Sequence, residues 1–200
     1  VPGKFMNETG SSAIACKDCA AGHISAAGQT VCTECSAGTY ANSGQDSCQL
    51  CGAGKWSNTA GADASSTCQN CTAGKYSSAE GVDAEAKCNE CPPGKWSADS
   101  PDSDGCDDCT AGRYNADSGQ AVDCGACAAG TTMASVGATV CVTCTAGRFM
   151  DETGSSSSTC KDCAAGHISA AGQAACRQCS AGTYANADQD TCEPCGAGKW

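Results

Sequence analysis

The chain has 200 residues, of which 22 are Cys and only 13 are Leu, Ile, Val or Phe, and it carries a net charge of −11. So little large apolar content excludes a conventional packed core and would indicate disorder, but a cysteine content above about 8–10% indicates a disulfide scaffold instead. Eleven basic residues against 22 acidic ones exclude the positive footprint of a nucleic-acid binder. No stretch approaches about 18 consecutive apolar residues, so no membrane span is expected in this segment, and the opening Val1-Pro2-Gly3-Lys4 is not a secretory leader.

All 22 cysteines fall into eleven Cys-x-x-Cys pairs, beginning at Cys16, Cys32, Cys48, Cys68, Cys88, Cys106, Cys124, Cys141, Cys160, Cys176 and Cys192. Between 12 and 16 residues separate each pair from the next, a tandem repeat with a unit of about 16 residues. Each pair is followed by x-x-Gly-x-Φ, as in Cys35-Ser36-Ala37-Gly38-Thr39-Tyr40, and the opening Gly3-Lys4-Phe5 is a further copy. In chain order Φ takes all nine aromatics of the protein, Phe5, Tyr40, Trp56, Tyr76, Trp96, Tyr114, Phe149, Tyr184 and Trp200, and the other three Φ slots hold Ile24, Thr132 and Ile168.

The slot between Gly and Φ holds Lys4, Lys55, Lys75, Lys95, Arg113, Arg148 or Lys199 in seven units and His23 or His167 in two. Successive residues of an extended segment face opposite sides. The aromatics are therefore expected inside, as the core of each module, with the cations outside. Those cations are either solvated beside acidic neighbours or a lateral docking stripe. Because both histidines occupy this slot, they are not expected to ligate metal or to catalyse. After Φ each unit passes through a polar stretch to a turn such as Ser43-Gly44-Gln45-Asp46 or Glu80-Gly81-Val82-Asp83, where glycine supplies positive φ. The expected fold is a small disulfide-rich repeat protein: an elongated rod of loop modules with short β-hairpins and almost no helix.

Residues 3–56 align without gaps on 147–200, an offset of 144, with 40 of 54 positions identical. The expected organisation is one continuous array over residues 1–200, about eleven modules, with a super-repeat of 144 residues at 3–146 and a partial second copy at 147–200. The chain starts and stops inside a unit, and is expected to be a piece of a longer array.

Spaced Cys-x-x-Cys pairs suit either Cys₄ zinc sites or disulfides. Eleven pairs do not divide into whole four-ligand sites, and their even spacing favours bridges. A redox enzyme would use one reactive pair on a βαβ scaffold, which is lacking here. Joining the second Cys of one pair to the first of the next would close each loop around its own Gly-x-Φ. That pairing is Cys19-Cys32, Cys35-Cys48, Cys51-Cys68, Cys71-Cys88, Cys91-Cys106, Cys109-Cys124, Cys127-Cys141, Cys144-Cys160, Cys163-Cys176 and Cys179-Cys192. Cys16 and Cys195 would then pair outward, with cysteines beyond the segment. Each closure is worth on the order of 3 kcal/mol of chain entropy.

The pattern Cys-x-x-Cys-x-x-Gly-x-Tyr/Trp with a downstream Gly turn resembles the ephrin-receptor-like cysteine-rich repeat. Each closed loop also looks like the first module of tumour necrosis factor receptor cysteine-rich domains. The resemblance covers essentially the whole chain and implies extracellular, elongated, disulfide-bridged modules with the pairing above. The chain departs from the receptor modules in repeating one loop type alone.

Other signals are sparser. Asn7-Glu8-Thr9 and Asn70-Cys71-Thr72 are N-glycosylation sequons, and serines and threonines at 155–159 are candidate O-glycan carriers. Asp99, Asp102, Asp104, Asp107 and Asp108 cluster as a candidate calcium site, without the spacing of a twelve-residue calcium loop. No other cofactor is expected. With no nucleophile elbow, phosphate loop or second histidine environment, the chain is not expected to be an enzyme. The unit containing Thr131-Thr132-Met133, which lacks an aromatic or Ile at Φ, is expected to be a plain weak unit and is the candidate hinge or contact site. The leading functional expectation is a structural extracellular or cell-surface protein that self-associates into a filament, fibril or flagellar-hair-like appendage. The alternative is the stalk or ligand-binding array of a cell-surface receptor or adhesion protein.

Overall fold

A computed structural model of the chain describes residues 1–6, 16–98, 105–196 and 198. Among the described residues there is no α-helix. The elements are eleven two-stranded antiparallel hairpins, ten disulfides, and two three-residue 3₁₀ turns at Ser65–Thr67 and Glu85–Lys87. Contacts group the chain into two compact units, Val1–Cys91 with Ser97–Cys106, and Pro92–Trp96 with Asp107–Trp200.

The first unit holds the bridges Cys19-Cys32, Cys35-Cys48, Cys51-Cys68, Cys71-Cys88 and Cys91-Cys106. Its hairpins pair Lys4–Phe5 with Lys17–Asp18, His23–Ile24 with Thr33–Glu34, Thr39–Ala41 with Cys48–Leu50, Lys55–Trp56 with Gln69–Asn70, and Lys75–Tyr76 with Asn89–Glu90. The second unit holds Cys109-Cys124, Cys127-Cys141, Cys144-Cys160, Cys163-Cys176 and Cys179-Cys192. Six hairpins lie in it, from Lys95–Trp96 with Asp107–Asp108 to Thr183–Ala185 with Cys192–Pro194. A strand of two or three residues is too short to be stable as an isolated hairpin. Each bridge closes the loop within which its hairpin's chain turns back.

What joins one module to the next is a ladder of backbone hydrogen bonds that recurs down each unit. The motif glycine donates its N–H to the carbonyl of the residue after Φ in the next module: Gly38 to Ser57 (2.7 Å) and Gly54 to Ser77 (2.7 Å) in the first unit, Gly112 to Met133 and Gly130 to Met150 (both 2.7 Å) in the second. The residue after Φ in turn donates to the next module's turn, as Ser57 does to Val82 and Asn115 to Ala138 (both 3.0 Å). The turn glycine donates back to the Cys that opens the preceding loop, Gly61 to Cys35 and Gly154 to Cys127 (both 2.7 Å). The expectation that glycine supplies the positive φ of the Ser43-Gly44-Gln45-Asp46 turn is corrected. There, and where Asp188 replaces that glycine, Gln45 and Gln189 take positive φ of 52° and 53° and donate through their side-chain amides, to the carbonyls of Cys19 and Ala20 and of Cys163 and Ala164.

This ladder decides what is inside. Backbones hydrogen-bonded at these distances leave little room between modules, so the buried set is led by most loop-opening cysteines, the motif glycines from Gly3 to Gly147, and the turn residues Ala62, Val82, Ala138 and Ser155. It includes the residue after Φ at Ser25, Ala41, Ser57, Ser77, Ser97, Asn115, Met150 and Ser169, while the non-aromatic Φ residues Thr132 and Ile168 are buried as well. Buried hydroxyls are satisfied, for example Ser97 Oγ donating to the Lys75 carbonyl (3.0 Å) and Ser169 Oγ to that of Arg148 (2.8 Å). The expectation that the Φ aromatics form the core is corrected here. Phe5, Tyr40, Trp56, Tyr76, Trp96 and Phe149 are half-buried, and Tyr114 and Tyr184 are exposed at 37% and 48%. A ring cannot enter a gap that a backbone ladder has closed, so it lies at the module surface. Trp200 lies outside the described residues.

The motif glycine is fixed twice over. Gly38 has φ of 81°, and a Cβ there would stand 2.3 Å from the Gly81 carbonyl oxygen, two modules on. Gly28, at φ 83°, has open space around it. Gly28→Ala should therefore cost about 1–2 kcal/mol, the penalty of a left-handed L-residue. Gly38→Ala should cost distinctly more in urea unfolding with the bridges intact, and only Gly38→Ala should speed hydrogen exchange at the Gly81 amide. Equal costs would refute the close approach.

Candidate functional site

The outward surface of the modules is built on a cross-strand pairing. The slot residue before Φ stands directly opposite the second x of the Cys-x-x-Cys pair that ends the same loop. Lys4 faces Asp18 with Nζ–Oδ1 at 2.5 Å, Lys95 faces Asp108 at 2.6 Å, and Arg148 faces Asp162 at 2.8 Å. Lys55 faces Asn70 and donates to its Oδ1 at 2.7 Å, and Lys75 faces Glu90. Arg113 faces Ala126, which offers no acceptor, and turns to Asp123 (3.0 Å) and the Cys124 carbonyl (2.7 Å). Where the slot is Thr the opposite residue is uncharged, Leu50, Thr143 or Pro194. These cations therefore sit beside acidic or amide partners rather than forming a bare positive stripe, and Lys199 lies outside the described residues. Exposed pairs of this kind are individually weak and screened by salt.

His23 and His167 stand opposite Glu34 and Gln178, with Nδ1 3.0 and 3.2 Å from the carbonyl oxygens of Ala21 and Ala165. Of the acidic cluster, Asp108 is taken by Lys95 and Asp107 lies exposed in the same hairpin, while Asp99, Asp102 and Asp104 lie outside the described residues. Cys16 and Cys195 are unbridged within this chain. Asn7 also lies outside the described residues. Asn70, Cys71 and Thr72 are described: Cys71 is fully buried and bridged, and Thr72 Oγ1 donates to Glu85 Oε1 at 2.8 Å. At 155–159, Ser155 is buried and the other four residues are exposed.

The Thr132 module is tied in by the full ladder. Thr132 itself is buried and its hydroxyl donates to carbonyls of the following module, at Ser155 and Ser157. What distinguishes this module is its surface. Residues 124–147 carry no charge, and Val136, Val140 and Val142 are exposed at 57–65%.

Four local groups shift titration. Lys161 bonds both Asp151 (2.6 Å) and Glu152 (3.0 Å), which raises its pKa and lowers that of Asp151. The Lys87 ammonium lowers Asp83, and hydrogen bonds from Asn42 and Ser47 lower Asp46. Tyr184 is raised by the hydrogen bond its hydroxyl gives Glu193 (2.6 Å). A carboxylate whose pKa is lower in the folded state adds stability above its unfolded value, and that contribution is lost as pH falls through the folded value. The raised lysine adds stability below its unfolded value and loses it as pH rises past the folded one.

Asp151→Asn should thus leave the protein less stable than wild type at neutral pH. The gap should shrink as pH drops below the ordinary aspartate value of 3.8 and also at high salt. Thermal melts of both proteins across pH 2.5–7, a range set around roughly the ordinary carboxylate pKa values, read this directly. A gap independent of pH would remove the ion pair as its cause.

Among the described residues no helix is long and apolar enough to cross a membrane. Residues 22–68 match the family model described as tyrosine-protein kinase ephrin type A/B receptor-like. No curated protein matches the chain.

Proposed function

From a segment at residues 22–68 that belongs to the ephrin receptor-like repeats, within a longer series of bridged loops, we propose that this chain is an extracellular array serving as the stalk or ligand-presenting part of a cell-surface receptor or adhesion protein. The family match carries this reading. Two further features support it. Ten bridges formed by successive cysteine pairs are chemistry of an oxidising compartment. Modules that contact their neighbours by a backbone ladder leave their side-chain surface free for display. No catalytic role is assigned, since such a chain offers surfaces rather than reaction chemistry.

A filament-forming structural protein is the second reading. The observation favouring it is the 144-residue super-repeat, because a surface recurring at fixed intervals can make heterologous contacts that propagate. Two measurements separate the readings. Antibody against the native chain should label intact, unpermeabilised cells, and the label should disappear on mild surface proteolysis. Sedimentation of the purified chain should give a single non-assembling species. Label found only inside cells would overturn the extracellular reading, and ordered fibres in electron micrographs would favour the filament.

A further inference from the structure

Asn70-Cys71-Thr72 is a sequon whose three residues are each engaged once the module is closed. Asn70 ends the strand Gln69–Asn70, and its Oδ1 accepts from Lys55 Nζ at 2.7 Å. Cys71 is fully buried, bridged to Cys88, and donates its N–H to the Gly54 carbonyl at 2.8 Å. The Thr72 hydroxyl, the group that makes the triplet a sequon, donates to Glu85 Oε1 at 2.8 Å, and the Thr72 carbonyl accepts from the Lys75 N–H at 3.0 Å. Glu85 opens the 3₁₀ turn Glu85–Lys87 inside the loop that the Cys71-Cys88 bridge closes. The Thr72–Glu85 contact and the buried Cys71 thus both belong to the loop that the bridge closes. By contrast the bond from Lys55 engages Oδ1 and not Nδ2, and Asn70 is only half-buried.

We infer that Asn70 is an N-glycan acceptor open only before the Cys71-Cys88 bridge forms, and that the closed module then carries the glycan on Nδ2. In the transfer, Nδ2 attacks the anomeric carbon of an oligosaccharide linked to a lipid diphosphate. The N–C bond forms, the C–O bond to the diphosphate breaks, the lipid diphosphate leaves, and one amide proton is lost to the transferase. Oδ1 stays available to Lys55, so a loaded module can still close its hairpin. A module that closes first stays bare, because Asn70 is then held in its strand, Cys71 is buried and bridged, and the hydroxyl of the exposed Thr72 is engaged by Glu85. Occupancy at Asn70 is thus set by a race between glycan transfer and bridge closure. The inference rests on the extracellular reading above, which brings the chain into a secretory pathway.

The test routes the full chain, in an Asn7→Gln background, through a eukaryotic secretory pathway with a supplied leader, so the result does not depend on where the protein resides natively. Occupancy of the peptide containing Asn70 is read by mass spectrometry, with and without peptide N-glycanase, on total chain from cells and medium. A variant retained for misfolding therefore still reports. Wild type should show partial occupancy. Cys88→Ser, which leaves the triplet intact but cannot close the loop, should raise it at least about two-fold, and a brief pulse of thiol reductant on the unaltered sequence should do the same. Thr72→Val should abolish the signal. Equal occupancy in wild type, Cys88→Ser and reductant-treated chain, whether full or nil, would overturn the gating. Failure of surface labelling in native cells would instead overturn the extracellular reading alone.

Discussion

The constraint on which this structure depends is the approach of one module's backbone to the next. Gly38 N–H to Ser57 carbonyl and Gly61 N–H to Cys35 carbonyl, both 2.7 Å, are hydrogen bonds between loops rather than within them. Once loops lie that close, nothing larger than a sulfur, a hydroxymethyl or a methyl fits between most of them, and the composition follows. A chain with one Leu and three Ile is not a poor attempt at an ordinary core. It is the composition that a stack of backbones requires. The ladder also satisfies the peptide groups that such short strands leave unpaired, which would otherwise cost free energy when buried.

The bridges and the ladder divide the task. A loop of 12 to 16 residues has little apolar area to offset its conformational entropy, so closure by a disulfide lowers the entropy of the unfolded chain instead. The loop-opening cysteines Cys35, Cys51, Cys71, Cys91, Cys109 and Cys127 have no exposed surface at all, so the cross-links are also the largest buried groups of most modules. Closure brings the motif glycine, the residue after Φ and the turn into register, and the ladder then has donors and acceptors already aligned. This is why a positive-φ glutamine is tolerated in two turns: its side-chain amide reaches the cysteine carbonyl that the turn glycine's N–H would otherwise serve.

Much of this was legible in the cysteine spacing, because an even series of Cys-x-x-Cys pairs favours joining each pair to the next, as the resemblance also implied, and the Gly-x-Φ motif marked each hairpin. The inside of the module was misread at Φ. Large side chains usually mark a core, but here the ladder keeps the rings out and buries only a few larger aliphatic groups such as Met150, Ile168 and Val82, and the informative position was the one after Φ. It holds Ser, Ala, Asn or Met in every unit, and all three methionines of the protein, Met6, Met133 and Met150, fall there. A position restricted to small residues and one flexible gap-filler is the mark of a tight, uneven space. The pairing of each slot cation with the second x of the cysteine pair was also present in the text, as Lys4 with Asp18 and Lys95 with Asp108. It becomes visible only once the hairpin register is known. The approach of Gly38 to Gly81, two modules away, had no signal in any single unit.

The two copies of the super-repeat show where selection is free to act. They differ at 14 of 54 positions, and none of these is a cysteine, a motif glycine, a Φ residue or the residue after Φ. In the second copy every differing residue is exposed, among them Arg177, Gln178, Asp188, Glu193 and Pro194. Thr33 and Glu34 become Arg177 and Gln178, so one hairpin exchanges an acidic return strand for a basic one. A filament built from identical lateral contacts would need equivalent surfaces at equivalent positions. An array that presents different side chains on one invariant frame meets the opposite need, display of distinct contacts at fixed spacing.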